Sequence, residues 1–376
     1  MRELLAVPEL LADARDDFAV AERLRRQWPA ELVAAATEQA ALRARADEKF
    51  VRAGSMMFTR DGLEQATSED VARHRARRFA TAGDITTVLD LCCGIGGDLL
   101  AIGAAVPRVV GVDRDEVHAL MARHNAMSYD VDAHTVVADV TDLRLPATTA
   151  VFIDPARRTK SRRGGSQPPL DWCTSLPVPR VTVKAAPGIE VGSVPNGWEI
   201  EFVALGRDLK ESVLWSPPWA SAARRATVLS SGQDSGAELV ANPSTPSAPV
   251  RPPGRYLLDP SPAVTRAGAV ADLAADIGAW QIDPQIAFLS ADAPVRTPFG
   301  RCLEIEASLP FGVKPLAAEL RRLDIGTIEL RRRGLAGDVD ELRRRLRPSG
   351  NRRATVVLTR VANKPWAFVC TEPGSA

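Results

Sequence analysis

Hydrophobic positions over residues 1–85 recur at roughly helical spacing among charged ones: Leu4, Leu5, Leu10, Leu11, Phe18, Leu24, Trp28, Leu32 and Val33. Pro29 stands where a new helix can open. Thr67 or Ser68 is placed to cap a helix over Glu69–Ala80. That helix carries Arg73, His74, Arg75, Arg77 and Arg78, which read either as a solvated basic face or as a face that touches an anionic ligand. From residue 86 the period changes. Apolar runs Thr86–Leu91, Arg108–Asp113, His134–Ala138 and Ala150–Asp154 predict strands, and Leu99–Ala105 and Glu116–Met127 predict helices between them. Apolar strands alternating with helices indicate a parallel sheet covered on both faces.

The pattern changes again after Asp154. Residues 155–180 form a long loop with five basic residues in one short stretch, Arg157, Arg158, Lys160, Arg162 and Arg163. Val181–Lys184, Trp198–Leu205, Ser212–Trp215 and Ala226–Leu229 read as further strands without long helices between them, so the sheet is expected to finish antiparallel. Residues 231–254 are rich in Ser, Pro and Gly and read as a linker. Beyond it, Pro262–Trp280, Lys314–Leu323 and Val339–Leu346 read as helices. Phe288-Leu289, Leu303–Ala307 and Gly326–Leu330 read as strands, and Thr355–Val361 with Trp366–Thr371 as a hairpin about Asn363-Lys364. Four segments follow: a helical extension at 1–85, an α/β core at 86–230, the linker at 231–254, and a small α+β, ferredoxin-like domain at 255–376.

The 376-residue length suits two or three domains. A net charge of +1 gives no global basic field, so any argument for nucleic acid rests on local clusters. The five cysteines are odd in number and none forms a CxxC pair, which points to a reduced, cytoplasmic compartment and no metal site. The acids near the N-terminus replace the apolar centre of a signal peptide. No apolar run approaches the roughly 18 residues of a membrane span.

Val88–Asp98 is the stretch that points to a ligand: a buried strand with one acid, Asp90, then Cys92-Cys93 and the turn Gly94-Ile95-Gly96-Gly97. Ligands of open parallel sheets bind at the carboxyl ends of the strands. Asp113, Asp139 and Asp154 fall at strand ends, so the turn and these acids are expected to line one crevice. A dinucleotide fingerprint needs a third glycine where Leu99 stands, and Asp98 at the helix start would repel a pyrophosphate. The acids suit a ligand with an amine and a sulfonium. Asp90 would orient the turn or bind an ammonium, Asp113 would accept the ribose hydroxyls, and Asp139 would accept from the adenine amine.

D-L-C-C-G-I-G-G-D, V-D-R-D, A-D-V and F-I-D-P-A-R together resemble the motif series of class I S-adenosylmethionine-dependent methyltransferases. The glycine turn is most similar to the RNA cap guanine-N2 methyltransferase type. Together with L-E-Q-A-T-S-E-D-V-A-R-H-R-A-R-R-F, V-K-A-A-P-G-I and D-P-Q-I-A-F-L-S, the chain from about Lys49 onward resembles a bacterial group with a C-terminal THUMP-like domain. The resemblance implies a Rossmann-like core, S-adenosylmethionine as cofactor and RNA as partner. It is specific for methyl transfer and weak for the acceptor.

The cofactor set expected on this basis is Asp90, Cys92, Gly94, Gly96, Gly97, Asp113 and Asp139. The catalytic set is Asp154, Pro155 and Arg157, with Arg158, Lys160 and Lys184 toward substrate. Asp154 either holds or deprotonates the nucleophile or caps the following loop. Lys184 either binds substrate or pairs with an acid. Methyltransferases acting on exocyclic amines often carry a proline and an aromatic where Ala156 and Arg157 stand. Asp-Pro-Pro-Arg of the RNA uracil-C5 enzymes comes with a cysteine where this chain reads Lys184-Ala185-Ala186-Pro187, so C5 chemistry is disfavoured. Arginines 331–333, 343–345, 347, 352 and 353 could follow a phosphate backbone or serve solubility. The competing functions are methylation of a small molecule or a protein, and an RNA-binding protein whose core has lost catalysis.

Overall fold

The computed structural model describes residues 2–146, 150–157, 166–233, 235–335 and 338–374. The chain forms two compact units, the first comprising residues 1–201, 211–223 and 229–236, the second the remainder.

The first unit begins with α1 (Arg2–Leu5), α2 (Pro8–Asp13), α3 (Phe18–Leu24), α4 (Ala30–Ala46), α5 (Arg60–Gln65) and α6 (Glu69–Thr81). These helices do not stand apart from the sheet layer. Leu10, Val33, Leu42, Met57 and Phe58 share one buried cluster with Ile95, Leu100 and Met121. Two buried amides fix the extended Met57-Phe58 segment. Gln39 Nε2 donates to Phe58 O at 2.7 Å, and Phe58 N donates to Gln39 Oε1 at 2.9 Å. Met57 N donates to Asn125 Oδ1 at 2.7 Å, while Asn125 Nδ2 donates to Ile95 O at 2.9 Å in the glycine turn. Buried main-chain groups need such partners, so these amides specify how the extension docks.

The sheet of this unit contains β1 (Val88–Leu91), β2 (Val109–Asp113), β3 (Ala133–Val137) and β4 (Ala150–Ile153). α7 (Gly97–Ala105) follows β1, and α8 (Glu116–Ser128) follows β2. A short ladder, β5 (Ala156–Arg157) with β6 (Ser166–Gln167), precedes α9 (Leu170–Thr174), β7 (Arg180–Ala185), β8 (Glu199–Leu205) and β9 (Asp208–Trp215), of which residues 199–201 and 211–215 fall in this unit. The order β3-β2-β1-β4-β7 is parallel throughout, and β9 joins β7 antiparallel, as the sequence predicts. The strand order reverses between β1 and β4, where such sheets open a crevice. This is the Rossmann-like arrangement that the sequence predicts.

The second unit holds β10 (Arg224–Leu229), β11 (Ala237–Val240), β12 (Tyr256–Pro260), α10 (Pro262–Ala267) and α11 (Val270–Ile277). Then come β13 (Trp280–Gln281), β14 (Leu289–Ala291), β15 (Gly300–Pro310), α12 (Val313–Arg322), β16 (Ile325–Arg332), α13 (Val339–Leu346), β17 (Arg352–Val361) and β18 (Lys364–Thr371). Its seven-stranded sheet runs β13-β14-β12-β15-β18-β17-β16, with β16 and β17 parallel across α13. This is the α+β domain that the sequence predicts. The Asn363 hairpin is present, with Ala362 and Asn363 both at positive φ as a tight two-residue turn requires.

The stretch 231–254 is not a plain linker. β11 lies inside it and pairs antiparallel with β10, with Leu239 buried and Glu238 ion-paired to Arg225. The Pro, Ser and Gly around it hide a four-residue strand. The helix expected over Pro262–Trp280 is two, because Gly268 at φ 74° ends α10 in the left-handed conformation and α11 restarts at Val270.

Candidate active site

A cavity of about 980 Å³ lies at the carboxyl ends of β1, β2, β4 and β7. Gly94, Asp113, Asp139, Asp154 and Lys184 line it, and Thr67 joins them from the helical extension. The strands deliver these groups because each apolar run ends in a polar residue where the sheet stops.

Asp113 is 9% exposed and anchors the glycine turn. Gly94 N donates to its Oδ2 at 2.8 Å, and Asp115 N donates to its Oδ1 at 2.9 Å. Each oxygen keeps a lone pair for a further donor, as a ribose diol needs. A Cβ at Gly94 would meet nothing within 4 Å, so the turn leaves open space there. Gly96 serves differently. It does not line the cavity; at φ 91° it packs on α8, where a Cβ would sit 3.2 Å from Ala122 Cα. Gly97 and Cys92 line the cavity. Burial, then the charge of Asp113, pushes the Cys92 thiol well above its usual range, so it is a small neutral wall residue. Asp139 is exposed at the end of β3 and accepts from Thr141 N and Thr141 Oγ1 through Oδ1. Those bonds, the backbone one first, hold its carboxyl below the usual range.

The structure takes Asp90 out of the cavity lining. Its side chain is fully buried within β1, and neither carboxylate oxygen has a hydrogen-bond partner among the described residues. Burial, reinforced by Asp154, raises its pKa well above the carboxylate range. Arg158 and Lys160 lie outside the described residues, as does the Arg157 side chain, although its backbone pairs with Ser166 in the β5-β6 ladder.

Lys184 resolves to pairing. Its Nζ donates to Asp154 Oδ2 at 2.6 Å and to Thr67 Oγ1 at 2.8 Å. Thr67 Oγ1 in turn donates to Asp98 Oδ2 at 2.8 Å. Asp98 is therefore not a free charge facing a ligand, as the sequence suggests. It is 6% exposed and ion-paired to Arg75, whose other nitrogen pairs with Glu211 on β9. The face of α6 toward the sheet is also not solvated. Arg75 is 1% exposed with its guanidinium over the Phe152 ring, and Arg78 holds Glu199 with two bonds and lies over Trp215. Of the two cap candidates, Ser68 is the N-cap residue of α6, without a side-chain cap bond, and Thr67 faces the site.

Thr67, Arg75 and Glu211 escape sequence reasoning. One signal exists for Arg75, which shares a helical face with Val71, Ala72, Ala76 and Phe79, a place where an unpaired charge would be costly. Nothing local marks Thr67 or Glu211. Among the described residues no group of His, Cys, Asp and Glu is arranged to hold a metal, and no helix is long and apolar enough to cross a membrane.

Open space at the turn, a diol acceptor at the end of β2 and a predominance of acids fit a nucleoside with a cationic tail and not a pyrophosphate. The comparisons agree. Residues 85–223 match the family described as RNA cap guanine-N2 methyltransferase, residues 300–372 the THUMP domain-like family, and residues 2–46 a domain of unknown function. An uncharacterized S-adenosylmethionine-dependent methyltransferase of Mycobacterium tuberculosis CDC 1551 is 40% identical over 333 residues, covering 84% of this chain and 88% of its own. Its counterpart in strain H37Rv gives the same figures. The crystal structure of a Porphyromonas gingivalis W83 protein assigned as a methyltransferase shares the fold at a TM-score of 0.76, covering 93% of this chain and 92% of that one at 20% identity. The chain belongs to the S-adenosylmethionine-dependent methyltransferases, and S-adenosylmethionine is its methyl donor.

Proposed function

We propose that this enzyme transfers the methyl group to a base of structured RNA in the cytoplasm, with Asp154 receiving the nucleophile. The observation that carries the reading is the place of Asp154-Pro155. It follows β4 in the cavity that also holds Asp113, and Lys184 engages one carboxylate oxygen only. Oδ1 then remains to orient or accept a proton from an attacking group. S-adenosylmethionine supplies an activated methyl carbon, and the chain's own contribution is placement of donor and acceptor in line. Asp113 and Asp139 would hold the ribose and adenine ends, with Cys92, Gly94 and Gly97 as the wall between them. Pro155 is buried and stiffens the start of the loop, whose Arg157, Arg158 and Lys160 would meet the RNA. Attack through a covalent cysteine adduct finds no support. Cys173 is fully buried, and burial pushes its thiol up to about 12.

RNA as the acceptor rests on the matches over residues 85–223 and 300–372 and on the surface of the second unit. α13 buries Leu346 and leaves Arg343, Arg344 and Arg345 exposed, with Arg347 exposed just beyond. Arginines in the last turn also complement the helix dipole, so they stabilise α13 whether or not RNA is bound. If three of them meet phosphates, binding of a structured RNA is expected to fall about 40-fold between 50 and 200 mM salt, a log–log slope near −2.7. Filter binding across salt checks this, and a flat response counts against RNA. The test of the function is mass spectrometry of nucleosides in total RNA from a deletion strain. Loss of one methylated nucleoside, restored by the gene, is the expected result. An unchanged nucleoside profile would sink the reading in favour of a small-molecule or protein acceptor.

A further inference from the structure

Thr67 belongs to the helical extension, yet its side chain completes the cavity at the point where Lys184 meets Asp154. Its hydroxyl has one proton and two lone pairs. The proton goes to Asp98, and a lone pair faces the Lys184 ammonium, so both contacts are satisfied by one group in one rotamer. Asp98 cannot rotate away, because Arg75 holds its other oxygen. The turn that carries Thr67 is itself fastened. Lys49 Nζ donates to the carbonyls of Leu63, Glu64 and Ala66 at 2.7, 3.1 and 3.0 Å, gathering the end of α5. A continuous chain of bonds therefore runs from Glu211 through Arg75, Asp98, Thr67 and Lys184 to Asp154.

We infer that Thr67 is a positioning residue for methyl transfer: it locks the Lys184 ammonium onto Asp154 Oδ2, so that the carboxylate presents Oδ1 to the acceptor. The inference rests on the role proposed for Asp154. A lysine on a four-carbon stem has no geometry of its own. Without the Thr67 acceptor it can move to Oδ1 or to solvent, and Asp154 loses its fixed orientation. The extension is then part of the catalytic apparatus and not only a structural addition.

Thr67→Val keeps the shape and removes the hydroxyl, and Thr67→Ser keeps the hydroxyl. Two readouts separate the lock from the proposed acceptor. The first is the acetylation rate of Lys184 under an N-hydroxysuccinimide ester of acetic acid, followed by peptide mass spectrometry. The second is transfer of labelled methyl from S-adenosylmethionine to total RNA of a deletion strain. For Thr67→Val, Lys184 acetylation should rise about tenfold, the equivalent of one hydrogen bond to a charged group. kcat should fall about tenfold by the same reasoning, while KM for RNA and the Kd of S-adenosylmethionine stay within about twofold. Thr67→Ser should restore both readouts. Acetylation as slow in Thr67→Val as in the parent protein overturns the lock. Faster acetylation with unchanged kcat overturns its role in positioning Asp154. If the parent protein labels no RNA while Thr67→Val still exposes Lys184, the RNA reading falls and the lock stands.

Discussion

Replacing Asp113 with alanine is expected to weaken S-adenosylmethionine binding by about 100-fold or more, because hydrogen bonds to a charged group contribute about 1.5–3 kcal/mol each. Two effects combine. The carboxylate that would accept the ribose hydroxyls is gone, and so is the anchor that receives Gly94 N and Asp115 N. The glycine turn then loses one of the bonds that fix it against β2, keeping that from Cys93 N to Val112 O. Asp113→Asn keeps the size but only one acceptor oxygen, so its amide nitrogen must oppose either Gly94 N or Asp115 N, and it is expected to cost about tenfold or more. Titration calorimetry on both variants, with thermal melts to establish folding, checks the prediction. An unchanged affinity in Asp113→Ala would mean that the ribose does not lie at the end of β2.

The part of this site that reads from sequence is the part governed by one strand and its own turn. β1, β2 and β4 are buried on both faces, so each appears as a short apolar run, and the run must end in polar residues where it leaves the sheet. Asp113 and Asp154 are found in this way, Asp139 from the apolar run of the largely exposed edge strand β3, and the structure brings all three to one cavity. Asp90 marks the limit of the same reasoning. It lies within the strand and not at its end, and the fold buries it fully, which raises its pKa. Pairings across long stretches of chain are not legible at all. Arg75 meets a carboxylate 23 residues away and another 136 residues away, and Thr67 meets Lys184 across 117 residues. A run of arginines in a helix looks solvated until those partners are known. In the second unit, the strand at Ala237–Val240 is hidden for a related reason, since its neighbours carry the composition of a loop while its pairing is fixed by β10.

The extension and the core meet through those long-range pairs, and breaking them should be visible as stability. Arg75→Met is expected to destabilise the first unit by about 3–5 kcal/mol, the usual cost of stranding one side of a buried ion pair. For a unit of this size that corresponds to a fall of roughly 10 °C in melting temperature. The loss is large because methionine fills the space and still leaves two buried carboxylates, Asp98 at 6% and Glu211 at 2% exposure, without their cation. Charge and volume are separable. Adding Glu211→Leu to Arg75→Met should recover part of the stability even though it removes another native side chain, because it withdraws one stranded charge; replacement of whole buried ion pairs by apolar residues is often neutral. Chemical denaturation of the single and double variants measures this coupling. A loss below about 1 kcal/mol for Arg75→Met would mean that water reaches the triad, contrary to its burial. The same variant should also loosen Thr67, since Asp98 would be free to turn away from it, so Lys184 acetylation should rise in Arg75→Met as expected for Thr67→Val. A destabilised protein whose Lys184 stays protected would separate the fold's ion pairs from the active-site lock, and would place the restraint on Lys184 within the cavity itself.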